Sequence, residues 1–530
     1  MRHLRIVPNW LRLFILVVLI TGLFFRFTNL DSKVFWHDET YTMLRLSGYT
    51  AREVKQKLFN GSIISPISLA KFQNINEEKH LSDTIHSLAI EDPQHPPLYY
   101  IIARFWVQIF GNSVTAIRSL SAVISLMVFP CTYWLCWELF KVPLGVGGIA
   151  IALISSSPLH FAYAQEAREY ILWIVTILLS SAALLRAIRL ESQSKYVESP
   201  VFNWGLYATT LSLSLYTFLL SGFVAIAHVI YVMATAKFRW NKTIEAFVTA
   251  ILIGFLFFSP WLVILIQNFK QFNNTTAWTA TPLPIGTLIQ LWLLQITRIF
   301  FNFDGLENIE YLIGIFFAGL VGYAIYFLCL TTHIKVWLFI ILLIFIPALP
   351  LILPDLIFGG MRSTSERYLL PSYIGIQLAV AYLLAYQLNN GLFSRRRIWQ
   401  IVTVALLSFG LISLAVSSQA ETGWNKVVSY GNPEVARIIN QSSRPLLISD
   451  DAGINYGNVF SLSYLLDPKV KLKLVQEKSV IRSNDKYTNV FVLNPSKAFL
   501  QKIEGKYKSK ANTVYSDKYY TLFKLAKSQT

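Results

Sequence analysis

The sequence has few charged residues and very few cysteines. Only 14% of its 530 residues are charged, and its three cysteines are Cys131, Cys136 and Cys329. All three lie in apolar segments without metal-ligand spacing, so we predict small buried side chains rather than a disulfide framework or a thiolate metal site. The sequence also lacks a G-x-x-x-x-G-K-[ST] motif and a G-x-G-x-x-G motif followed by an acid. It therefore gives no support for ATP or dinucleotide chemistry.

Apolar residues, in contrast, are abundant. They make up 54% of the chain, the mean hydropathy is +0.48, and several runs reach the ~18–20 apolar residues that span a bilayer. We therefore predict a polytopic α-helical membrane protein. The formal net charge of +17 would suggest nucleic-acid binding in a soluble protein, but here basic cytoplasmic loops explain it. No helix-turn-helix, zinc-finger or RNA-binding signature supports a nucleic-acid partner.

Hydropathy predicts eleven membrane spans. Residues 1–12 are basic and precede an apolar run at 13–25 without a cleavage site, which predicts an uncleaved first span with the N-terminus inside. Two shorter apolar stretches, 96–110 and 285–303, contain arginines and are predicted to lie in the membrane interface. The predicted spans are about 11–28, 116–138, 144–160, 169–188, 203–219, 222–236, 244–266, 311–330, 336–354, 371–388 and 399–416.

Basic residues are distributed unevenly between the two sides of this topology. Loops assigned to the inside carry Arg2, Arg5, Arg12, Lys141, Arg186, Arg189, Lys195, Lys237, Arg239, Lys242, Lys335, Arg395, Arg396 and Arg397. The short loops assigned to the outside carry only Arg168, Lys270, Arg298, Arg362 and Arg367. This asymmetry agrees with the positive-inside rule. It predicts a cytoplasmic N-terminus, with the long first loop and the C-terminal residues on the extracytoplasmic side. The membrane itself is expected to be a bacterial-type plasma membrane.

The composition changes near residue 420, which predicts two domains. We expect a transmembrane module over 1–418, whose outer loop 29–112 holds interfacial helices, and an extracytoplasmic α/β domain over 419–530. In the second domain, the apolar pattern predicts strands at 445–449, 471–475, 489–493 and 519–525, and helices at 459–466 and 496–507.

Four short polar sequences lie on the predicted outer side. They are Trp36-His37-Asp38-Glu39-Thr40-Tyr41, His95-Pro96-Pro97-Leu98-Tyr99-Tyr100, Tyr163-Ala164-Gln165-Glu166-Ala167-Arg168-Glu169-Tyr170 and Ser365-Glu366-Arg367-Tyr368-Leu369-Leu370-Pro371. A carboxylate held near apolar surface and a second acid has a raised proton affinity, which suits a general base. Arginine forks suit phosphate oxygens. Taken singly, the four sequences are also typical of a solvated loop, a turn, a helix connector and a head-group contact, respectively.

In this order and on one side, the four sequences resemble the GT-C superfamily of membrane glycosyltransferases. The resemblance is to the dolichyl-phosphate-mannose protein mannosyltransferases, the aminoarabinose transferases and the RgtA/B/C/D-like group (glycosyltransferase family 39-like). It implies the GT-C fold and transfer of a sugar from a polyprenyl-phosphate carrier to a protein, lipid or glycan acceptor, with inversion. The implied roles are catalytic for Asp38 (general base) and Glu39; donor phosphate or lipid binding for Arg168, Arg298, Arg367 and Tyr368; and substrate pocket for His37, His95, Tyr99, Gln165, Glu166 and Tyr170.

The resemblance leaves the cofactor and the exact reaction open. Some members use a divalent metal near the acidic residues, but no cysteine or H-x-x-H pattern predicts a tight site here. The expected partners are the lipid-linked donor, membrane lipids and an unknown acceptor. A polysaccharide polymerase or ligase remains an alternative, because it would use the same donors. A transporter or flippase of lipid-linked sugars is another, although it predicts mid-span ionisable residues and repeated halves.

Overall fold

The computed structural model describes residues 8–140, 145–192, 200–303, 309–390, 393–476, 487 and 489–526. The inside-loop residues Arg2, Arg5, Lys141 and Lys195 lie outside this range. The α-helices are α1 (Asn9–Phe27), α2 (His37–Ser47), α3 (Ala51–Leu58), α4 (Leu81–Glu91), α5 (Leu98–Phe110), α6 (Val114–Leu126), α7 (Val128–Phe140), α8 (Val146–Ser155), α9 (Pro158–Ala164), α10 (Tyr170–Ser192), α11 (Pro200–Thr217), α12 (Ser221–Thr235), α13 (Lys242–Gln267), α14 (Phe269–Thr276), α15 (Ile285–Arg298), α16 (Glu310–Thr331), α17 (Ile334–Ile357), α18 (Leu370–Asn390), α19 (Phe393–Gln419), α20 (Asn432–Asn440), α21 (Asn455–Ser463) and α22 (Lys497–Tyr507). The strands are β1 (Asn60–Ile64), β2 (Pro445–Asp450), β3 (Lys471–Val475), β4 (Asn489–Leu493), β5 (Ala511–Ser516) and β6 (Thr521–Leu525).

The chain folds into two compact units, which we call the membrane unit and the sheet unit. The membrane unit comprises residues 1–28, 92–99 and 118–418, and the sheet unit comprises residues 29–91, 100–117 and 419–530. The change at 418/419 coincides with the predicted domain boundary. However, most of the outer loop 29–112, which the sequence assigned to the transmembrane module, folds together with the C-terminal residues.

Eight helical segments among the described residues are long and apolar enough to cross a bilayer. The pair α8 and α9 adds a ninth span if it is counted as one segment, and it is bent by 62°. Pro158 is the first residue of α9, a position that proline favours because its missing N–H has no helical partner there. The eight segments are Asn9–Phe27, Val114–Phe140, Tyr170–Ser192, Lys242–Gln267, Glu310–Thr331, Ile334–Ile357, Glu366–Asn389 and Ser394–Ser429.

Each of the eleven predicted spans overlaps helices of the structure, but the number of helices that cross the membrane stays a prediction. The predicted spans 203–219 and 222–236 form α11 and α12, which are not among the eight. The predicted interfacial stretches form α5 and α15, with 13 and 14 residues. At 1.5 Å per residue each is roughly 20 Å long, which is shorter than a hydrocarbon core of roughly 30 Å.

In the membrane unit, α1 packs closely against α8. A Cβ atom added to Gly22 would lie 2.2 Å from Ser155 Oγ, so only glycine allows this approach. Arg26, near the end of α1, is fully buried, and its guanidinium donates to the carbonyl oxygens of Ser125 and Ile154 at 3.2 and 3.1 Å. These contacts fix the end of α1, from which the polypeptide enters the first loop.

The sheet unit is built on a six-stranded sheet of described residues with the order β1-β3-β2-β4-β6-β5. The central strand β2 runs parallel to β3 and β4, and the outer pairs are antiparallel. β2 and β4 are buried along their whole length, which explains their continuous apolar sequences. One face packs on α20, α21 and first-loop residues such as Val54 and Phe59. The other face packs on Phe499 and Ile503 of α22.

The predicted C-terminal elements are confirmed to within a few residues, but β1, β5 and α20 were not predicted. β1 pairs with β3 more than 400 residues later, with Asn60 opposite Val475, and nothing local in Asn-Gly-Ser-Ile-Ile indicates this partner. β5 is mostly exposed, so it lacks the apolar alternation on which strand prediction depends.

Candidate active site

The acidic pair lies in the first turn of α2, within the sheet unit. Asp38 and Glu39 therefore occupy the end of the helix where the dipole stabilises negative charge. Glu39 Oε2 accepts a hydrogen bond from the backbone N–H of Trp36 at 3.3 Å. This contact satisfies a donor at the amino end of the helix, and it directs Glu39 back along the chain.

Glu39 also forms a buried ion pair with a residue of the C-terminal sequence. Nζ of Lys426 lies 3.2 Å from Oε2 of Glu39, and the two side chains are 1% and 0% exposed. Burying one of these charges without the other would be strongly destabilising. The side chain of Glu39 is therefore buried at the start of α2, where the Trp36 N–H and the Lys426 ammonium hold it.

Asp38 is the partly exposed member of the acidic pair. Its side chain is 21% exposed, and its Oδ1 lies 3.2 Å from Nδ1 of His37. His37 is held in turn, because its backbone N–H donates to Ser429 Oγ at 3.0 Å. With a proton on Nδ1, His37 donates to Asp38 and orients a carboxylate that solvent can reach.

Gly457 of α21 provides the space in which the His37 ring lies. A Cβ atom at this position would lie 2.3 Å from His37 Cδ2. We expect Gly457→Ala to lower the free energy of unfolding by about 1–3 kcal/mol through overpacking, measured by thermal or denaturant unfolding. The matched control is Gly505→Ala in α22, where the added Cβ would meet no described atom within 4 Å apart from its chain neighbours and the adjacent backbone of its own helix. Unchanged stability of Gly457→Ala would contradict this packing.

A second cluster forms in the membrane unit between α9 and α10. Nδ1 of His95 lies 2.8 Å from Oε1 of Glu169, and the Arg168 guanidinium lies 3.3 Å from the same oxygen. Arg168 also lies 3.2 Å from Nε2 of His95. Glu169 and Arg168 are buried, whereas the side chain of His95 is 19% exposed. The structure thus brings the predicted residues His95 and Arg168 together.

Glu169 holds this cluster by charge. Burial by itself would raise the pKa of its carboxyl, but Arg168 and His95 outweigh burial and lower the pKa from 4.5 to about 2. Because the pKa is lowered in the folded state, the stability that this group contributes is complete above pH 4.5 and is lost as the pH falls towards 2.

We therefore expect the unfolding temperature of the wild type to fall more steeply between pH 4.5 and 2 than that of Glu169→Gln. The lowered pKa of Glu169 corresponds to ~3 kcal/mol in the free energy of unfolding. Thermal unfolding in detergent at stepped pH measures the difference. Glu421→Gln, at a side chain that is 64% exposed, is the control and should follow the wild type. Parallel curves for the wild type and Glu169→Gln would refute the assignment.

The ring of Tyr170 joins two arginines. Cζ of Arg168 lies 5.6 Å from the ring centroid of Tyr170, and Cζ of Arg367 lies 5.9 Å from it. Arg367 also lies 5.7 Å from the Trp278 ring centroid and 5.5 Å from that of Tyr368. Guanidinium groups over aromatic faces are held by weak attraction and keep their hydrogen-bond donors at the edge of the group.

Four further predicted site residues lie in the membrane unit, and the structure shows the contacts or the burial of each. Arg298 forms an ion pair with Glu366, directly before Arg367 in the chain. Gln165 donates to the carbonyl oxygens of Phe25 and Thr28 at 2.9 and 2.8 Å, which satisfies groups at the end of α1. Glu166 is 1% exposed, and Tyr99 is fully buried with its hydroxyl 3.2 Å from Ser121 Oγ.

Two aromatic residues of this cluster were missed in the sequence. The ring centroid of Phe218 lies 6.0 Å from that of Tyr170, 6.1 Å from that of Tyr368 and 6.5 Å from that of His95. Trp278 was the second. An aromatic residue at the outer end of a predicted span was the available signal, but such residues are common at membrane interfaces.

In the described part of the chain, no three His, Cys, Asp or Glu side chains form a group that could hold a metal ion.

The comparisons with known proteins agree on one class of fold. The sequence model of the dolichyl-phosphate-mannose-protein mannosyltransferase family matches residues 94–264, a segment that contains His95, Arg168 and Tyr170. No curated protein sequence matches the chain. Among solved structures, ArnT from Cupriavidus metallidurans bound to undecaprenyl phosphate superposes with a TM-score of 0.53 at 11% identity, over 97% of this chain and 98% of that one.

An archaeal oligosaccharyltransferase is similar to a comparable degree. The Archaeoglobus fulgidus enzyme in the apo form gives a TM-score of 0.51 at 12% identity, over 98% of this chain and 75% of that one. The oligosaccharyltransferase AglB from Archaeoglobus fulgidus, in complex with an inhibitory peptide and a dolichol-phosphate, gives a TM-score of 0.50 at 11% identity, over 98% of this chain and 75% of that one. Because the sequence identities are only 11–12%, the similarity to these solved structures shows the fold alone. The chain has the GT-C fold of an integral membrane protein, and the predicted resemblance to GT-C membrane glycosyltransferases is confirmed.

Proposed function

We propose that this protein transfers a sugar from a polyprenyl-phosphate carrier to an acceptor hydroxyl or amide on the extracytoplasmic face of the membrane. The observation that carries the proposal is the pair of arginines, Arg168 and Arg367, that share the ring of Tyr170. Paired guanidinium groups beside apolar aromatic rings suit a phosphate that is attached to a lipid. The match of residues 94–264 to a family of lipid-phosphate-dependent mannosyltransferases supports the same donor.

The reaction is a displacement at the anomeric carbon. Asp38 accepts the proton of the attacking acceptor group, the bond from the anomeric carbon to the phosphate oxygen breaks, and the polyprenyl phosphate leaves with the electron pair. Arg168 and Arg367 stabilise the charge that develops on this leaving group. Direct attack inverts the anomeric centre. The partial exposure of Asp38 and its contact with His37 support its role as the base.

A transfer assay tests the proposed function. The purified protein in nanodiscs is incubated with polyprenyl-phosphate sugars that carry a labelled sugar, together with membrane extract as the source of acceptors. We expect label to appear in a product other than the carrier lipid, and free polyprenyl phosphate to appear in equal amount. Movement of the intact donor across a liposome bilayer, with no transfer to any acceptor, would instead support the flippase and exclude the transferase.

A further inference from the structure

The segment before α2 is held by residues that follow it by 387 and 426 positions. Within the sheet unit, the backbone N–H of Val34 donates to the carbonyl oxygen of Glu421 at 2.8 Å. Ser461 Oγ donates to the carbonyl oxygen of Phe35 at 2.6 Å. The start of the helix that carries Asp38 is therefore part of the interface with the C-terminal sequence.

Lys426 is a buried charged residue of this interface. Its ammonium group contacts Glu39 Oε2 at 3.2 Å and lies 5.6 Å from the ring centroid of Trp36. Since Glu39 also accepts the Trp36 N–H, a single buried carboxylate links Lys426 to the backbone of the first helical turn. Loss of the ammonium would remove a cation from this buried carboxylate, and the turn would have to move to hydrate it.

The segment around Lys426 is itself rigidly held. Val427 has φ 24° and ψ −100°, a region that β-branched residues rarely adopt and that persists only where the surroundings impose it. The surroundings here are hydrogen bonds to α21: Ser429 Oγ donates to Asn458 Oδ1 at 2.7 Å, and Asn458 Nδ2 donates to the carbonyl oxygen of Val428 at 2.7 Å. Lys426 thus has a fixed position from which to hold Glu39.

We propose that Lys426 is a positioning residue that sets the location of the Asp38 carboxylate by fixing Glu39. The proposal rests on the proposed function, since it gives the C-terminal domain a part in aligning the base. Asp38 and Glu39 are neighbours in one helical turn, so a turn that shifts to expose Glu39 also displaces Asp38. A displacement of about 1 Å at a reacting group can reduce a rate by about 100-fold.

The test compares Lys426→Met with Lys55→Met. Lys55 also joins the first loop to the C-terminal sequence, through Asp451 at 2.9 Å, but its side chain is 36% exposed. For Lys426→Met we expect kcat to fall by about 10- to 100-fold while KM for the lipid-linked donor stays within about twofold. Hydrogen exchange should increase in α2. For Lys55→Met we expect wild-type kcat, KM and exchange.

A double variant separates positioning from a general loss of stability. In Glu39→Gln/Lys426→Met both charges are removed, while the glutamine oxygen still accepts the Trp36 N–H. We expect its loss in kcat to be smaller than the product of the two single losses, and exchange in α2 to return towards that of the wild type. Three results would each overturn the proposal. They are a loss of kcat in the double variant equal to the product of the single losses, an unchanged kcat in Lys426→Met, and faster exchange throughout the sheet unit.

The exchange measurement does not depend on activity. If the wild type transferred no sugar but Lys426→Met still increased exchange in α2 alone, Lys426 would hold the helix and the proposed function would be wrong. If transfer occurred and α2 were unaffected, the proposed function would stand and the positioning role would be excluded.

Discussion

An Asp38→Asn variant should transfer sugar about 100- to 10,000-fold more slowly than the wild type, because a positioned general base contributes a factor of that size. Asparagine keeps the shape of the side chain and still accepts a hydrogen bond from His37, but it cannot take the proton of the acceptor. The loss should therefore appear in kcat, with little change in affinity for the lipid-linked donor. Initial rates over a range of donor concentrations measure both quantities.

The control for this variant is Asp31→Asn. Asp31 is an exposed carboxylate seven positions earlier in the same unit, and its replacement removes the same charge without touching the acidic pair. We expect wild-type kinetics from it. A rate for Asp38→Asn equal to that of Asp31→Asn would show that the base is another residue.

An Arg367→Gln variant should lose about 10- to 100-fold in kcat/KM for the donor. A hydrogen bond to a charged group contributes about 1.5–3 kcal/mol, and each 1.4 kcal/mol corresponds to about a factor of ten. Arg367→Lys keeps the positive charge but loses the planar group that lies over Tyr170, Trp278 and Tyr368. We expect an intermediate loss from it, because one ammonium cannot replace the paired donors of a guanidinium.

Arg395→Gln serves as the control for the arginine variants. Arg395 is exposed at the start of α19 in the same membrane unit, so its change tests the effect of removing a cation as such. In titrations with polyprenyl phosphate alone, we expect the wild type to bind most tightly, Arg367→Lys less tightly and Arg367→Gln least tightly. Equal affinities in all three would exclude Arg367 from phosphate binding.

The parts of the fold that could be predicted are those in which local sequence determines the environment. The membrane helices appear as long apolar runs, and β2 and β4 appear as short ones because both of their faces are buried. The order of four polar sequences led to His95, Arg168 and Arg367 as one site. The convergence of Arg168 and Arg367 on the ring of Tyr170 is what the structure adds.

The contacts that could not be predicted depend on residues far apart in the chain. Nothing near Lys426 indicates that it pairs with Glu39, 387 positions earlier. Phe218 directly follows α11 as one aromatic residue among many. The sequence around Gln165 does not indicate that its amide donates to two carbonyl groups at the end of α1, and its place in a substrate pocket stays a prediction. Periodicity does not reveal such partners, since they arise from tertiary packing.

The position of β1 in the sheet has a consequence for biosynthesis. A ribosome that adds 5–20 residues per second needs about 20–80 s to make the roughly 400 residues between β1 and its partner strand β3. During that time the apolar side chains of the first loop, among them Val54, Phe59 and Phe72, lack the C-terminal side of their core. The segment that carries Asp38 therefore completes its fold only after the last membrane helix has been synthesised, so that assembly of the acidic site is one of the final events in making this protein.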